Sequence, residues 1–227
     1  MPRPPSDIAQ RITSAARGRF LREGVDGASL RRIAEDAGTN IGMVYYYFKT
    51  KDDLFLAVVD DAYQVLVHDL MTALAPDVPP EQRFARVYQR IAALSDREFD
   101  VIRLILREGL VSSTRLSSVV QRFQQGHLPA VLQTLVQGVG EGRFDPQKDL
   151  AVMAASTATL GVLPQLLHRL VTDAGLPFAA MLPDRQAAAS ALFHTLLFGI
   201  AGPTLREEAA QPSRGDAKTG ARPRRRR

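Results

Sequence analysis

Between Gly24 and Asp53 the chain reads GVDGASLRRIAEDAGTNIGMVYYYFKTKDD, and helix punctuation recurs so often that only short helices fit. Upstream, Ile8, Ile12, Ala16 and Phe20 return every four residues with arginines between them, which predicts a helix from Asp7 to Glu23. Gly24 is suited to closing it in the left-handed conformation. VDGAS reads as a turn, and Ser29 as the N-cap of a short helix through Leu30, Ile33, Ala34 and Ala37. Gly38 stops that helix. Asn40 can cap a third, from Ile41 to about Phe48. Thr50 opens a fourth, with Asp53 three residues on in capping-box spacing ahead of an apolar run. Four helices in about seventy residues, two of them joined by the tight AGTN turn, make a helix-turn-helix arrangement.

The third helix carries three consecutive tyrosines. Successive helical positions point about 100° apart, so one buried face cannot absorb them all. On a helical wheel Ile41, Val44, Tyr45 and Phe48 form the core stripe. Gly42, Met43 and Tyr46 point away from it, and Tyr47 lies at the flank. Aromatic core filling accounts for Val44 and Phe48 but leaves Tyr46 unexplained. An outward tyrosine between Gly42 and the lysines Lys49 and Lys51 suits a polyanion: its ring can meet thymine methyl groups and its hydroxyl a phosphate oxygen. Gly42 leaves room for a groove wall. The amides opening the fourth helix, beside Lys51, offer a phosphate site.

Charge supports this locally rather than globally. The net charge of +5 equals that of the segment from Arg206 to Arg227, which holds eight basic and three acidic residues, so the body of the chain is neutral. The first 51 residues carry nine Lys or Arg against five Asp or Glu, a real local excess.

The stretch ASLRRIAEDAGTNIGMVYYYFKTKDDL, Ala28 to Leu54, resembles the TetR-like (tetracycline-repressor-like) bacterial transcription regulators. It has the family order: a capping Ser, an Ile-Ala pair, a turn Gly, a Gly-x-x-Tyr, an aromatic-Phe pair, then Lys-acid-x-Leu. Ile41 stands where polar residues or Pro are common, and Tyr47 replaces a frequent His; both bear on base preference and leave the binding mode intact. The resemblance implies base-edge contacts from Gly42, Met43 and Tyr46, with Arg31 reaching a guanine from the preceding helix. It also implies phosphate contacts from Ser29, Tyr45, Tyr47 and Lys51. Arg31 and its neighbour Arg32 complete the DNA-binding set, although arginines on a short helix can equally be its solvated face, Arg32 more so.

Beyond the motif the chain still reads as helix. Leu54, Phe55, Val58, Val59, Ala62, Val65, Leu66, Leu70 and Leu74 keep helical spacing until APDVPP stops them. Such a helix would pack its front on the reading module and its back on the C-terminal part of the chain. Further helices are expected at Phe84–Leu94, Phe99–Leu110 and Leu116–Val139, the last broken at His127–Pro129. No strand alternation of useful length appears. Two stretches, 150–168 and 187–205, are almost free of charge. Ser156, Thr157, Pro164 and Gln165 in the first, and His194 and Gly199 in the second, argue against membrane spans. Helices apolar on nearly every side must be covered on two faces. Ala151, Ala154, Ala155, Ala158 and Gly161 form a small-residue stripe that lets another helix approach. A second copy completing a four-helix bundle is the economical cover; a hairpin internal to a monomer is the alternative.

Enzymatic chemistry finds no support in the pattern. His68, His127, His168 and His194 stand on predicted helices without metal-ligand spacing, and no phosphate-cradling loop or nucleophile elbow is present. With no cysteine in the chain, disulfides and thiolate zinc sites are excluded. A pure dimerising adaptor would leave the outward tyrosine unexplained. The expectation is therefore an all-α protein with no cofactor and no metal. It has a helix-turn-helix DNA-binding domain over 1–52, a helical effector-binding and dimerisation domain over 53–205, and a disordered basic tail over 206–227. Arg103, His127 and Gln165 are possible polar anchors for the effector, none of them decisive. The function implied by the resemblance is that of a cytoplasmic repressor that binds a palindromic operator as a homodimer and is released by a small apolar effector.

Overall fold

The structure, a computed structural model, describes residues 5–198. Ten α-helices and one 3-10 turn make up the described residues, with no strand among them. The first four helices are α1 (Pro5–Gly27), α2 (Leu30–Asp36), α3 (Ile41–Tyr47) and α4 (Lys51–Ala73). Then come α5 (Pro80–Ala92), α6 (Asp96–Val111), α7 (Ser113–Gln125), α8 (Leu128–Gly140), α9 (Leu150–Asp173) and α10 (Arg185–Phe198). The 3-10 turn Pro177–Met181, which the sequence did not suggest, links the last two.

Most local signals in the first fifty residues operate as read, and Gly38 turns the chain after α2 with φ 62°. Gly24 departs from the expectation: it kinks α1 with φ 77° and ψ 167°, outside the left-handed helical region, and helix resumes to Gly27 where a turn was expected. The side chains of Ser29, Asn40 and Thr50 cap α2, α3 and α4 by accepting from the backbone N–H groups of Arg32, Met43 and Asp53. Asp53 completes the capping box by accepting from the Thr50 N–H at 2.9 Å. Ser95 and Glu98 build the same box at the start of α6. Each such cap removes a stranded helix-end group and adds about 1 kcal/mol to the definition of a boundary.

The spine of the molecule is α4, 23 residues and roughly 35 Å long. Its front half, Leu54 to Tyr63, joins Ile12, Ala16 and Phe20 of α1, Ile33 and Ala34 of α2 and Val44 of α3 in one apolar cluster. That cluster also contains Val101 and Leu104 of α6 and Val119 of α7. The back half enters two further clusters, Leu70 with Ile91 and Leu94, and Ala73's neighbour Leu74 with Phe84 and Leu135. One rigid element is therefore shared by the N-terminal reading module and the helices behind it.

The break expected at His127–Pro129 separates α7 from α8. His127 consequently precedes α8 as its N-cap residue instead of lying within a helix. Its Nδ1 lies 2.9 Å from the Tyr63 hydroxyl of α4, and burial pushes the imidazole below its ordinary pKa. Gly126 makes this contact possible, since a Cβ there would stand 2.0 Å from the Tyr63 hydroxyl oxygen. Gly126→Ala should therefore cost ~1–3 kcal/mol by overpacking. A urea-denaturation midpoint equal to that of the parent would contradict this.

The charge-poor stretches form α9 and α10, which pack on each other and both on α5. Residues 199–205 of the second stretch and the tail 206–227 lie outside the described residues. Among the described helices α9 alone has the length and apolarity to cross a bilayer; here it packs along α5, α8 and α10. Two members of its small-residue stripe face inward: Gly161 is buried and stands against the Tyr88 ring, and Ala154 packs partly buried on the Leu74–Phe84–Leu135 cluster. Ala151, Ala155 and Ala158 are exposed, as are Val152, Leu163, Leu167 and Leu170.

Candidate nucleic-acid interface

The surface of α3 sorts its residues sharply. Val44 is wholly buried and anchors the helix, while Tyr46 is 70% exposed. Gly42 is also exposed and Met43 half-exposed, so the three residues predicted to face a groove all reach solvent. Tyr45 corrects the wheel: placed there in the core stripe, it is 52% exposed. The helix has only seven residues, and Phe48 caps it in an extended conformation (φ −131°). A stripe drawn through Phe48 at helical spacing thus assigns Tyr45 to a face the helix does not continue. Tyr47 packs partly on the core cluster, and Tyr46 meets its ring edge-on at 5.1 Å. This edge contact holds an exposed phenol in a defined direction at little entropic cost.

Arg31 and Arg32 are exposed on α2, and Ser29 is half-buried before it. The Ser29 oxygen is occupied as a cap acceptor, which leaves its O–H free to donate to an oxygen. At the start of α4 the capping box already uses the amides of Thr50 and Asp53. Of the expected phosphate-binding amides, those of Lys51 and Asp52 remain outside the box. Lys51 reaches back, donating from Nζ to the Asp26 carbonyl at 2.9 Å. Its ammonium has three donors, so this bond fixes its position and leaves two for a phosphate.

Asp36 and Asp26 of the module are held in ion pairs. Arg19 grips Asp36 through Nε (2.6 Å) and Nη2 (3.0 Å) and holds its carboxyl below the usual range. Arg115 does the same to Asp26. No ion pair among the described residues engages Arg31, Arg32 or Lys49. The exposed face of α2 and α3 therefore offers uncommitted cations around an aromatic ridge. Among the described residues no cluster of His, Asp or Glu could hold a metal ion.

An open groove of about 340 Å3 between α5 and α10 is lined by Tyr88, Gln89, Phe193, His194 and Phe198. Gln165 is buried against the Arg185 carbonyl, whereas Arg103 is exposed with its guanidinium over the Phe99 ring. Those anchors do not converge with His127 on one site.

A short, capped helix carrying outward aromatic and polar groups, packed across a tight turn on a helix with exposed arginines, is the reading unit of a helix-turn-helix DNA-binding regulator. Residues 12–58 match the sequence profile described as "Bacterial regulatory proteins, tetR family". Over 177 residues the chain is 25% identical to the HTH-type transcriptional repressor SCO4008 of Streptomyces coelicolor, covering 76% of this chain and 88% of that one. The fold is similar to that of the transcriptional regulator FadR from Bacillus subtilis in complex with stearoyl-CoA. The TM-score is 0.68 at 18% identity, over 85% of this chain and 99% of that one. It is also similar to AibR in complex with isovaleryl coenzyme A and operator DNA, with TM-score 0.62 at 14% identity over 85% and 98% of the two chains. The chain is similar to the TetR-like bacterial transcriptional regulators, whose family profile covers residues 12–58 and whose curated relatives are transcriptional regulators or repressors.

Proposed function

We propose that this regulator is a cytoplasmic repressor that binds a palindromic operator as a homodimer and is released by a small effector. The carrying observation is Tyr46, exposed on a helix whose next turn inward is fully buried. In this reading Gly42, Met43 and Tyr46 meet base edges, Arg31 reaches a guanine, Ser29, Tyr45, Tyr47 and Lys51 meet the backbone, and Arg32 belongs to the same face with no contact assigned. Residues 1–52 act as reader, 53–205 as effector and dimerisation unit, and 206–227 as a basic tail.

Support for the dimer comes from α9. Val152, Leu163, Leu167 and Leu170 are 43–61% exposed along one side of an almost uncharged helix. Pairing α9 and α10 with a second copy would bury that face at about 25 cal/mol per Å2 of apolar surface. Two readers then enter successive major grooves only if they stand about 34–36 Å apart. An effector that prefers another tilt of α4 changes this separation, and it acts only through unequal affinity for the two arrangements. FadR of Bacillus subtilis holds stearoyl-CoA and AibR holds isovaleryl coenzyme A, which makes acyl-coenzyme A esters the first effectors to try.

Selection of bound fragments from random duplex DNA tests the reading. Enrichment of a palindrome is expected; recovery of no common sequence would count against it. Sedimentation at micromolar concentration should report two subunits, and a lone subunit would remove the proposed bundle. For Lys51→Ala the expectation is a uniform loss of affinity across sequences, with the slope of log affinity against log salt smaller by about one. An unchanged slope would show that Lys51 meets no phosphate.

A further inference from the structure

The α6–α7 corner meets the N-terminal module through an ionic junction centred on Arg115. Arg115, in the first turn of α7, is 7% exposed and faces three carboxylates. Its Nε donates to Asp52 at 2.8 Å, in the first turn of α4. Its Nη1 donates to Glu108 of α6 at 2.8 Å and to Asp26 at 3.1 Å, while Nη2 makes a further short bond to Asp26. The other oxygen of Glu108 accepts from the Val25 N–H at 3.1 Å. Arg107 adds a bond to the Leu21 carbonyl at 3.2 Å. Gly24 lies under this corner, with the Arg107 guanidinium 2.8 Å from where a Cβ would stand.

These contacts fall on the two segments that bracket α2 and α3, the α1–α2 corner at Asp26 and the α4 start at Asp52. Both also adjoin Lys51, which bonds the Asp26 carbonyl. The junction has two unequal halves. The Arg115–Glu108 pair is deeply buried, with side chains 8% and 3% exposed, and belongs to the fold. The Asp26 and Asp52 side chains are 71% and 50% exposed, and ion pairs of that kind contribute little to stability. A planar guanidinium with five donors can nevertheless hold two such acids at fixed angles, which a lysine could not. Strong geometry with weak energy suits a part that must let go when the helices behind it shift.

We propose that Arg115 is a positioning residue for DNA recognition, clamping Asp26 and Asp52 from the effector-binding half so that α3 is presented to the duplex at one angle. It rests on the reading of α3 as the DNA-contacting helix. Arg115 itself touches no DNA in this arrangement. Its loss lowers discrimination between sequences more than it lowers attraction to DNA in general.

The test uses two full-chain variants of opposite charge effect. Arg115→Met releases both acids and leaves them negative beside the phosphates. Asp26→Asn/Asp52→Asn weakens the same clamp to neutral hydrogen bonds, removes two negative charges, and keeps the buried Arg115–Glu108 bond. Fluorescence anisotropy at one salt concentration measures affinity for the selected operator fragment and for a scrambled fragment of equal length. Both variants should lose about tenfold or more in the ratio of the two affinities, within the range of ordinary coupling between sites. The thermal midpoint of the Asn pair should stay near that of the parent. If the Asn pair binds both fragments more tightly by a common factor and keeps its ratio, the junction is only local charge and the proposal is overturned. A parent protein without preference for the selected fragment would instead remove the reading of α3, an outcome visible before either variant is made.

Discussion

Tyr46→Ala should weaken specific binding by ~1–3 kcal/mol per half-site while the fold and the assembly are unchanged. The reason lies in where the side chain stands. At 70% exposure Tyr46 contributes little to the core, so its removal leaves no cavity. Its ring contact among the described residues is the edge of Tyr47. What disappears is a rigid phenol that reaches a base edge in the proposed complex. A gel-shift titration on the selected operator measures the loss, and a melting curve on the same samples separates it from unfolding. Equal affinity of mutant and parent would strip Tyr46 of its role. Tyr45→Ala is a useful companion, because Tyr45 is exposed but assigned to the backbone: its loss should be similar for operator and unrelated DNA.

Leu104→Ala should destabilise the whole chain by ~2–5 kcal/mol, and the reading module should melt with it. Leu104 belongs to α6, far along the chain from the tyrosines, yet it is 1% exposed within the cluster that contains Ile12, Phe20, Ile33 and Val44. Truncation there opens a cavity against α1 and α4 together. Because α4 runs through this cluster and into the two behind it, loss of packing at one end loosens what the other end holds. A single denaturation transition shifted to lower urea is expected. A biphasic curve, with the N-terminal helices melting as in the parent, would show that α4 does not join the two regions.

The difference between what was legible and what was not tracks the range of the interactions. Ser29, Asn40 and the Thr50–Asp53 box act on backbone groups three residues away, so the chain displays them locally and each sits where expected. The α7–α8 break is equally local, set by Gly126 and Pro129. Tyr45 could not be placed by spacing alone, since a helix of seven residues ends before its pattern is established. The Arg115 junction was invisible for a different reason. Asp52 and Asp26 lie 63 and 89 residues from Arg115, and nothing in periodicity or composition pairs one arginine with two particular aspartates. Gly161 shows the same limit: its place in a small-residue stripe was readable, but its position beneath Tyr88 depends on how α5 and α9 meet.

Recognition of this kind requires two tyrosine-bearing helices to enter neighbouring major grooves of one duplex. Methylation interference on guanine N7 across the selected operator examines this directly, because that atom lies in the major groove. Two symmetric clusters of interference, centred one helical turn or about 10 base pairs apart, are predicted. A single cluster, or interference confined to adenine N3 in the minor groove, would contradict it.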